Sequence, residues 1–375
     1  MAYAGWLDRL NQTHWSNKLL LCVLLLSCFG FAAVGLWIGL LPDAPKDVQI
    51  LPQYASAPKT QTRIPLNLPE PAAGQSKVTL PLTLPEPKSK QTPLPGSAET
   101  AQPQAQKPRA LLEKLTEDAA GLKLPVIASD KTTSFEAYKA RFALPEDDER
   151  ARIALIVTGV GLNTARSENA LKALPSSISI AISPYAGTPQ RWADMGLDQG
   201  RDILMMVPME PNSFPTVDPG PDTLMRDAPA IQTLQRFHNV LSKAQGYIGI
   251  INDTGSRFTA NQISVAPVLD DVAARGLMVV DARASAYSVL APQAKRRGIP
   301  VAVNTRFIDS SLATNDIDRQ LRDLERTAST VGSAVGVLRD FPITLERVMA
   351  WEKALNKKEF VLTPISAVAN RQPIR

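Results

Sequence analysis

The chain has 375 residues, 44% apolar and 21% charged, with a formal net charge of +5 and a pI near 9.1. This composition is ordinary for a globular protein and implies mild attraction to anionic surfaces. Its basic residues are scattered, apart from Lys295-Arg296-Arg297, and form no aromatic-interleaved stripe, which argues against nucleic-acid binding.

Residues 1–18 carry Arg9 and Lys18, and Leu19 to Leu41 is then an uncharged apolar run of 23 residues. As a helix it would extend about 35 Å, enough to cross a hydrocarbon core of ~30 Å with some tilt. Pro42-Asp43-Ala44-Pro45 offers no small-x-small cleavage site, so the run reads as an uncleaved transmembrane helix. Arg9 and Lys18 before the run, against Lys46 after it, predict a cytoplasmic N-terminus and a translocated remainder. Both cysteines, Cys22 and Cys28, lie inside the run, which leaves the rest without a thiol, as suits an oxidising compartment.

Residues 42–149 read as a Pro-rich, largely disordered linker; 14 of the 31 prolines fall between Pro42 and Pro108. Pro65-Leu66-Asn67-Leu68-Pro69-Glu70-Pro71 returns as Pro81-Leu82-Thr83-Leu84-Pro85-Glu86-Pro87. Such repeats serve either as a stiff polyproline-II spacer, reaching on the order of 200 Å if extended, or as docking motifs for a partner. Ala110 to Leu122 and Ser134 to Phe142 are expected to form short helices near the linker's end.

From residue 150 the pattern changes. Short apolar runs, the mark of strands buried on both faces, recur at Ile153–Val157, Ile178–Ile182, Ile203–Val207, Tyr247–Ile251, Leu277–Val280, Val301–Val303, Ala334–Leu338 and Phe360–Leu362. Helical stretches separate most of them, so residues 150–375 read as one α/β domain built on a parallel sheet, closed or nearly closed into a (β/α) barrel. Thr158-Gly159-Val160-Gly161 lacks the spacing of a dinucleotide fingerprint.

In such a barrel, chemistry sits at the C-terminal ends of the strands. Those ends and the loops after them offer carboxylates, guanidiniums, an amide and a hydroxyl but no imidazole: Glu210, Asn252, Asp253, Ser256, Asp281, Arg283, Arg306 and Asp309. Asp253 reads as a general acid/base or as the anchor of an oxygen-only cation site with Asp281 and Asp309; otherwise it caps a segment or pairs with Arg283 or Arg306. Asp281 and Arg283 can form a buried ion pair or bind a sugar. Ser256, lacking a base, reads as a turn serine, and Glu210, opening a long Pro/Asp-rich loop, reads as a rim contact for substrate or partner. Of the two histidines, His14 precedes the apolar run and His238 shares a helical face with Ile231, Leu234 and Leu241, the position of a boundary residue.

The ordered set Ile153–Leu162, Pro208-Met209-Glu210-Pro211, Asp218-Pro219-Gly220-Pro221, Asn252–Thr259, Asp281-Ala282-Arg283-Ala284-Ser285 and Phe307-Ile308-Asp309 resembles the divergent polysaccharide deacetylase family, from about Ile153 to Leu362. The resemblance implies a bacterial envelope protein with a distorted (β/α) barrel and a divalent metal such as zinc. It also shows what is lost. Thr158-Gly159 stands where the family has an Asp-Asp pair, Met206 and Asp253 where it has histidines, Leu338-Arg339-Asp340 for its Gly-His-Pro run, and Asn304-Thr305 for its Arg-Asp pair.

A hydrolytic zinc site needs three protein ligands and an open position, so the expectation is a domain with no metal cofactor that no longer hydrolyses. The chain then reads as a periplasmic, inner-membrane-anchored protein whose domain binds a cell-envelope glycan (peptidoglycan or an exported polysaccharide) or scaffolds an envelope protein. Asp253 is the candidate catalytic residue, and Glu210, Asn252, Ser256, Asp281, Arg283, Arg306 and Asp309 are the candidate substrate contacts. The alternatives are an active deacetylase with a rebuilt acidic site, and an interaction module acting through the Pro-rich repeats.

Overall fold

Each of the eight apolar runs forms a strand. A computed structural model of the chain describes residues 110–145 and 147–374. The predicted membrane span, both Pro-rich repeats and most of the linker lie outside the described residues. Among the described residues no helix is long and apolar enough to cross a membrane.

The chain runs α1 (Ala110–Lys114), β1 (Thr116–Ala119), β2 (Leu122–Pro125), α2 (Ser134–Tyr138), β3 (Ala151–Val160), α3 (Thr164–Ala173), β4 (Ser179–Ile182), α4 (Pro189–Asp198) and β5 (Ile203–Met209). It continues with α5 (Ala230–Leu241), β6 (Gly249–Thr254), α6 (Gln262–Ala274), β7 (Met278–Asp281), α7 (Leu290–Arg296), β8 (Val301–Val303) and β9 (Arg306–Phe307). It ends with α8 (Thr314–Val331), β10 (Ser333–Arg339), α9 (Pro342–Ala354), β11 (Phe360–Thr363) and a 3-10 turn, Ile365–Val368.

From β3 onward all pairings are parallel, in the order β8-β7-β6-β5-β4-β3-β10-β9. β8 and β9 are two pieces of one strand broken at Asn304-Thr305. The Asn304 amide still reaches Asp281 O on β7 at 2.8 Å, and the Thr305 amide reaches Val335 O on β10 at 2.7 Å. Only this broken strand joins the two ends of the sheet, so the result is a distorted, incompletely closed barrel. β11 pairs with the first residues of β3, Ala151 to Ala154, below the point where β4 begins.

Pleat alternation divides the core in two. Ile153, Leu155 and Val157 face the helices, whereas Ala154 and Ile156 face the barrel interior together with Leu204, Met206, Ile251, Val280 and Val337. The helices cover the outside through apolar stripes; on α8 the buried stripe is Ile317, Leu321, Leu324 and Ala328. Gly332 ends α8 in a left-handed conformation (φ 84°), and its amide returns to Ala328 O. Arg201 is buried beneath the end of α3, donating to the carbonyls of Leu171 and Leu174 in the last turn of the helix, and to those of Pro175 and Ile178 in the turn that follows.

The floor of the barrel corrects the expected domain boundary. Residues 111–145 are part of the fold and not linker. The helix expected over Ala110 to Leu122 stops at Lys114, because Ala120 and Gly121 both adopt positive φ (54° and 83°) and turn the chain into the β1–β2 hairpin. Likewise the helix expected to reach Phe142 stops at Tyr138. Leu115, Ala128 and Tyr138 join Ile365 and Val368 of the C-terminal turn in the interior cluster, closing the N-terminal end of the barrel. Asp202 ties both closures together, accepting from the Ala140 amide at 2.6 Å and the Ser366 amide at 2.7 Å.

Candidate functional site

With its floor filled, the barrel opens at the C-terminal ends of its strands, where a cavity of about 270 Å³ is found. Strand register decides what lines it. The inward set continues upward from Ile156 to Thr158, from Leu204 to Met206, from Ile251 to Asp253 and from Val337 to Arg339. Thus the four side chains that stand where the resemblance places catalytic groups on four separate strands converge on one cavity.

Three of the four are already engaged. The Thr158 hydroxyl donates to Leu338 O at 3.0 Å, and the Gly159 amide donates to Met206 Sδ at 3.0 Å. Arg339 donates from Nη2 to Asp309 O at 2.7 Å, and its guanidinium stacks 4.6 Å above the Phe341 ring. Arg166 also lies over that ring, at 5.0 Å, and 3.5 Å from Asp340. Asp253 is different. It is partly buried, and its carboxylate has no hydrogen-bond or ion-pair partner among the described residues. Burial alone pushes its pKa up to about 6, with no neighbouring cation to oppose the shift.

The other predicted contacts scatter by role. Asp309 lines the cavity, but its Oδ2 accepts from the Arg339 amide at 2.9 Å and from Thr344 Oγ1 at 3.3 Å. Asn252 braces β6 to β7, accepting from the Ala282 amide at 2.8 Å, and exposes only 3% of its surface. Asp281 faces the helix layer and holds the start of α7 through Ser288 Oγ (2.8 Å) and the Ala291 amide (3.3 Å). No ion pair joins it to Arg283 among the described residues; Arg283 and Arg306 are exposed on the rim.

Glu210 corrects the expectation of a rim contact. It is buried, accepts from the Arg226 amide at 2.7 Å and lies 3.1 Å from Arg257, clamping the long loop to the segment after β6. Ser256 is a turn serine, as its sequence context suggested, and accepts from the Asn212 amide at 2.9 Å. His238 lies 3.0 Å from Asp271 on the outer helices, away from the cavity. Reading the sequence missed Phe307, 41% exposed at the cavity edge, and Phe341, whose ring both guanidiniums approach. The Arg339-Asp340-Phe341 run at a strand end was the signal for the latter.

The divalent metal implied by the resemblance does not fit these residues. Zinc requires about three protein ligands. Here the hydroxyl, thioether and second carboxylate are held by other groups, and only Asp253 is free to ligate. The oxygen-only cation site fails as well, since Asp281 points away from Asp253. Among the described residues no group of three or more His, Cys, Asp or Glu is placed to hold a metal.

Comparison with known proteins finds relatives of this chain. An uncharacterised protein of Haemophilus influenzae is 27% identical over 201 residues, covering 54% of this chain and 71% of that protein. The uncharacterised protein YibQ of Escherichia coli is 23% identical over 209 residues, 56% of this chain and 65% of that one. The crystal structure of an uncharacterised Agrobacterium tumefaciens protein superposes with a TM-score of 0.63 at 30% identity, covering 66% of this chain and 99% of its own. The sequence profile of the divergent polysaccharide deacetylases matches residues 155–369, which takes in the barrel strands from the fifth residue of β3 onward. The chain belongs to the divergent polysaccharide deacetylase family.

Proposed function

We propose that this protein is anchored in the bacterial inner membrane by Leu19–Leu41 and presents its barrel in the periplasm, where the domain binds a cell-envelope glycan without hydrolysing it. The observation that carries this reading is the convergence of Thr158, Met206, Asp253 and Arg339 on one cavity. The pocket of a glycan-acting family is kept, while the donor set a hydrolytic metal needs is absent from it. The apolar run, its flanking charges and the thiol-free remainder support the location.

One observation favours a second reading. A partner-free carboxyl with a pKa near 6 has the properties of a general acid/base, as an active hydrolase with a rebuilt acidic site would require. One set of measurements on the full-length chain in detergent separates the two. The binding reading expects no stoichiometric metal, no acetate released from peptidoglycan or from N-acetylglucosamine oligomers, and measurable retention on at least one envelope glycan. Acetate release that disappears in Asp253→Asn would establish the hydrolase instead.

A further inference from the structure

We propose that the cavity recognises a free amino sugar, docking the ammonium group of a de-N-acetylated hexosamine unit against Asp253. The inference rests on the glycan reading above and names the chemistry that such a glycan must carry.

Two carboxylates line the cavity, and only one is available. Asp309 is held by the Arg339 amide and Thr344, whereas Asp253 has no partner among the described residues. Much of the cavity wall is hydrocarbon and thioether, from Met206, Ile251, Ala282 and Val337. A charge in such surroundings is costly unless a ligand supplies an opposite one. The groups that could supply it from within the protein are engaged elsewhere. Arg339 is bound to Asp309 and stacked on Phe341, and Arg283 and Arg306 stand exposed on the rim. Tyr185, the ionisable group on the β4 side, already accepts the Asp222 amide at 3.0 Å and is neutral, with a pKa pushed up to about 12.

An ammonium group brings three donors and a full positive charge to that carboxylate. An acetamide brings one neutral N–H, and its methyl and carbonyl groups would have to fit beside the carboxylate as well. Phe307 at the edge presents a partly exposed ring for the C–H face of the sugar. The cavity volume lies just below the ~300–1,000 Å³ typical of small-molecule pockets, which suits one sugar unit and not a longer segment. Such a ligand is what an N-deacetylation yields, so a reaction of that class would act upstream of this protein.

The test is calorimetric titration of the full-length chain, in detergent at pH 6.5, with the tetramer of glucosamine and with the tetramer of N-acetylglucosamine. The chain's net charge of +5 disfavours non-specific adsorption of the cationic oligomer, so preference for it reports a local site. The expected result is affinity at least about tenfold higher for the glucosamine tetramer, with the difference abolished by the isosteric Asp253→Asn. Thermal melting of that variant verifies that it is folded. Equal affinities in the wild type, a preference for the acetylated tetramer, or a preference that survives Asp253→Asn would each overturn the inference and leave the glycan reading standing. Failure of both tetramers, together with failure on peptidoglycan, would overturn the glycan reading too.

Discussion

Asp253 occupies a position where its charge works against the fold. Its pKa is about 6 in the folded protein against an ordinary 3.8, and burial is the cause. The stability contributed by its protonated form is therefore fully present below pH 3.8 and is lost as pH rises through about 6. At roughly 1.4 kcal/mol per pH unit, the ionised carboxylate costs the fold up to about 3 kcal/mol at neutral pH. Asp253→Asn is expected to stabilise the protein by up to that amount at pH 7.5 and by much less at pH 4.5, measured by urea unfolding at both. An equal gain at the two pH values would mean that the amide improves packing and that charge has no part in the effect. Glu210 shows the contrast. It is more deeply buried, but a backbone amide and Arg257 satisfy it, as expected of a carboxylate that holds loops together. Stability sacrificed at a single residue with no structural partner is typical of a binding site.

At the scale of elements, the weak point of the barrel is the broken strand. β8 is three residues long, and only one edge of it is paired, with β7. The C-terminal tail covers the other edge: the Gln372 side chain donates to Val303 O at 2.7 Å and accepts from the Val303 amide at 2.6 Å, while Asn370 brackets Val301. A side-chain amide thus stands in for a neighbouring strand. Gln372→Ala is expected to cost about 1–2 kcal/mol, two hydrogen bonds' worth, and to speed hydrogen exchange at the Val303 amide ahead of its β7 neighbours. Unchanged exchange at Val303 would show that the tail does not hold the strand. The continuous apolar runs made all eight main strands readable in the sequence, because strands buried on both faces need no alternation. The same property hid which face each residue takes. Asp253 and Asp281 look alike as strand-end carboxylates. Only the assembled register shows that Asp253 continues the inward row from Ile251, whereas Asp281 continues the outward row from Val279. The hairpin was unreadable for another reason: its strands of four residues are too short to show a period, and their burial comes from contacts far along the chain.

At the scale of the whole molecule, the fold is larger than the part its family profile matches. The profile begins at residue 155, yet Leu115, Leu124 and Tyr138 are buried to 2% exposure or less against the barrel. Arg275 on the outer helices reinforces the attachment, donating to Pro125 O at 2.8 Å and to Glu117 at 2.9 Å. Burial of three such side chains is worth roughly 5–9 kcal/mol in total at about 1.5–3 kcal/mol each. That is comparable to the ~5–15 kcal/mol net stability of a typical domain. The same segment closes one end of the barrel, so among the described residues the cavity opens at the other. A fragment beginning at residue 150 is therefore expected to be insoluble or to lose cooperative unfolding, while one beginning at residue 110 melts in a single transition. Circular dichroism melts of the two fragments, expressed side by side, check this. A stable, cooperative 150–375 fragment would show that the N-terminal segment only lies against a barrel that is complete without it.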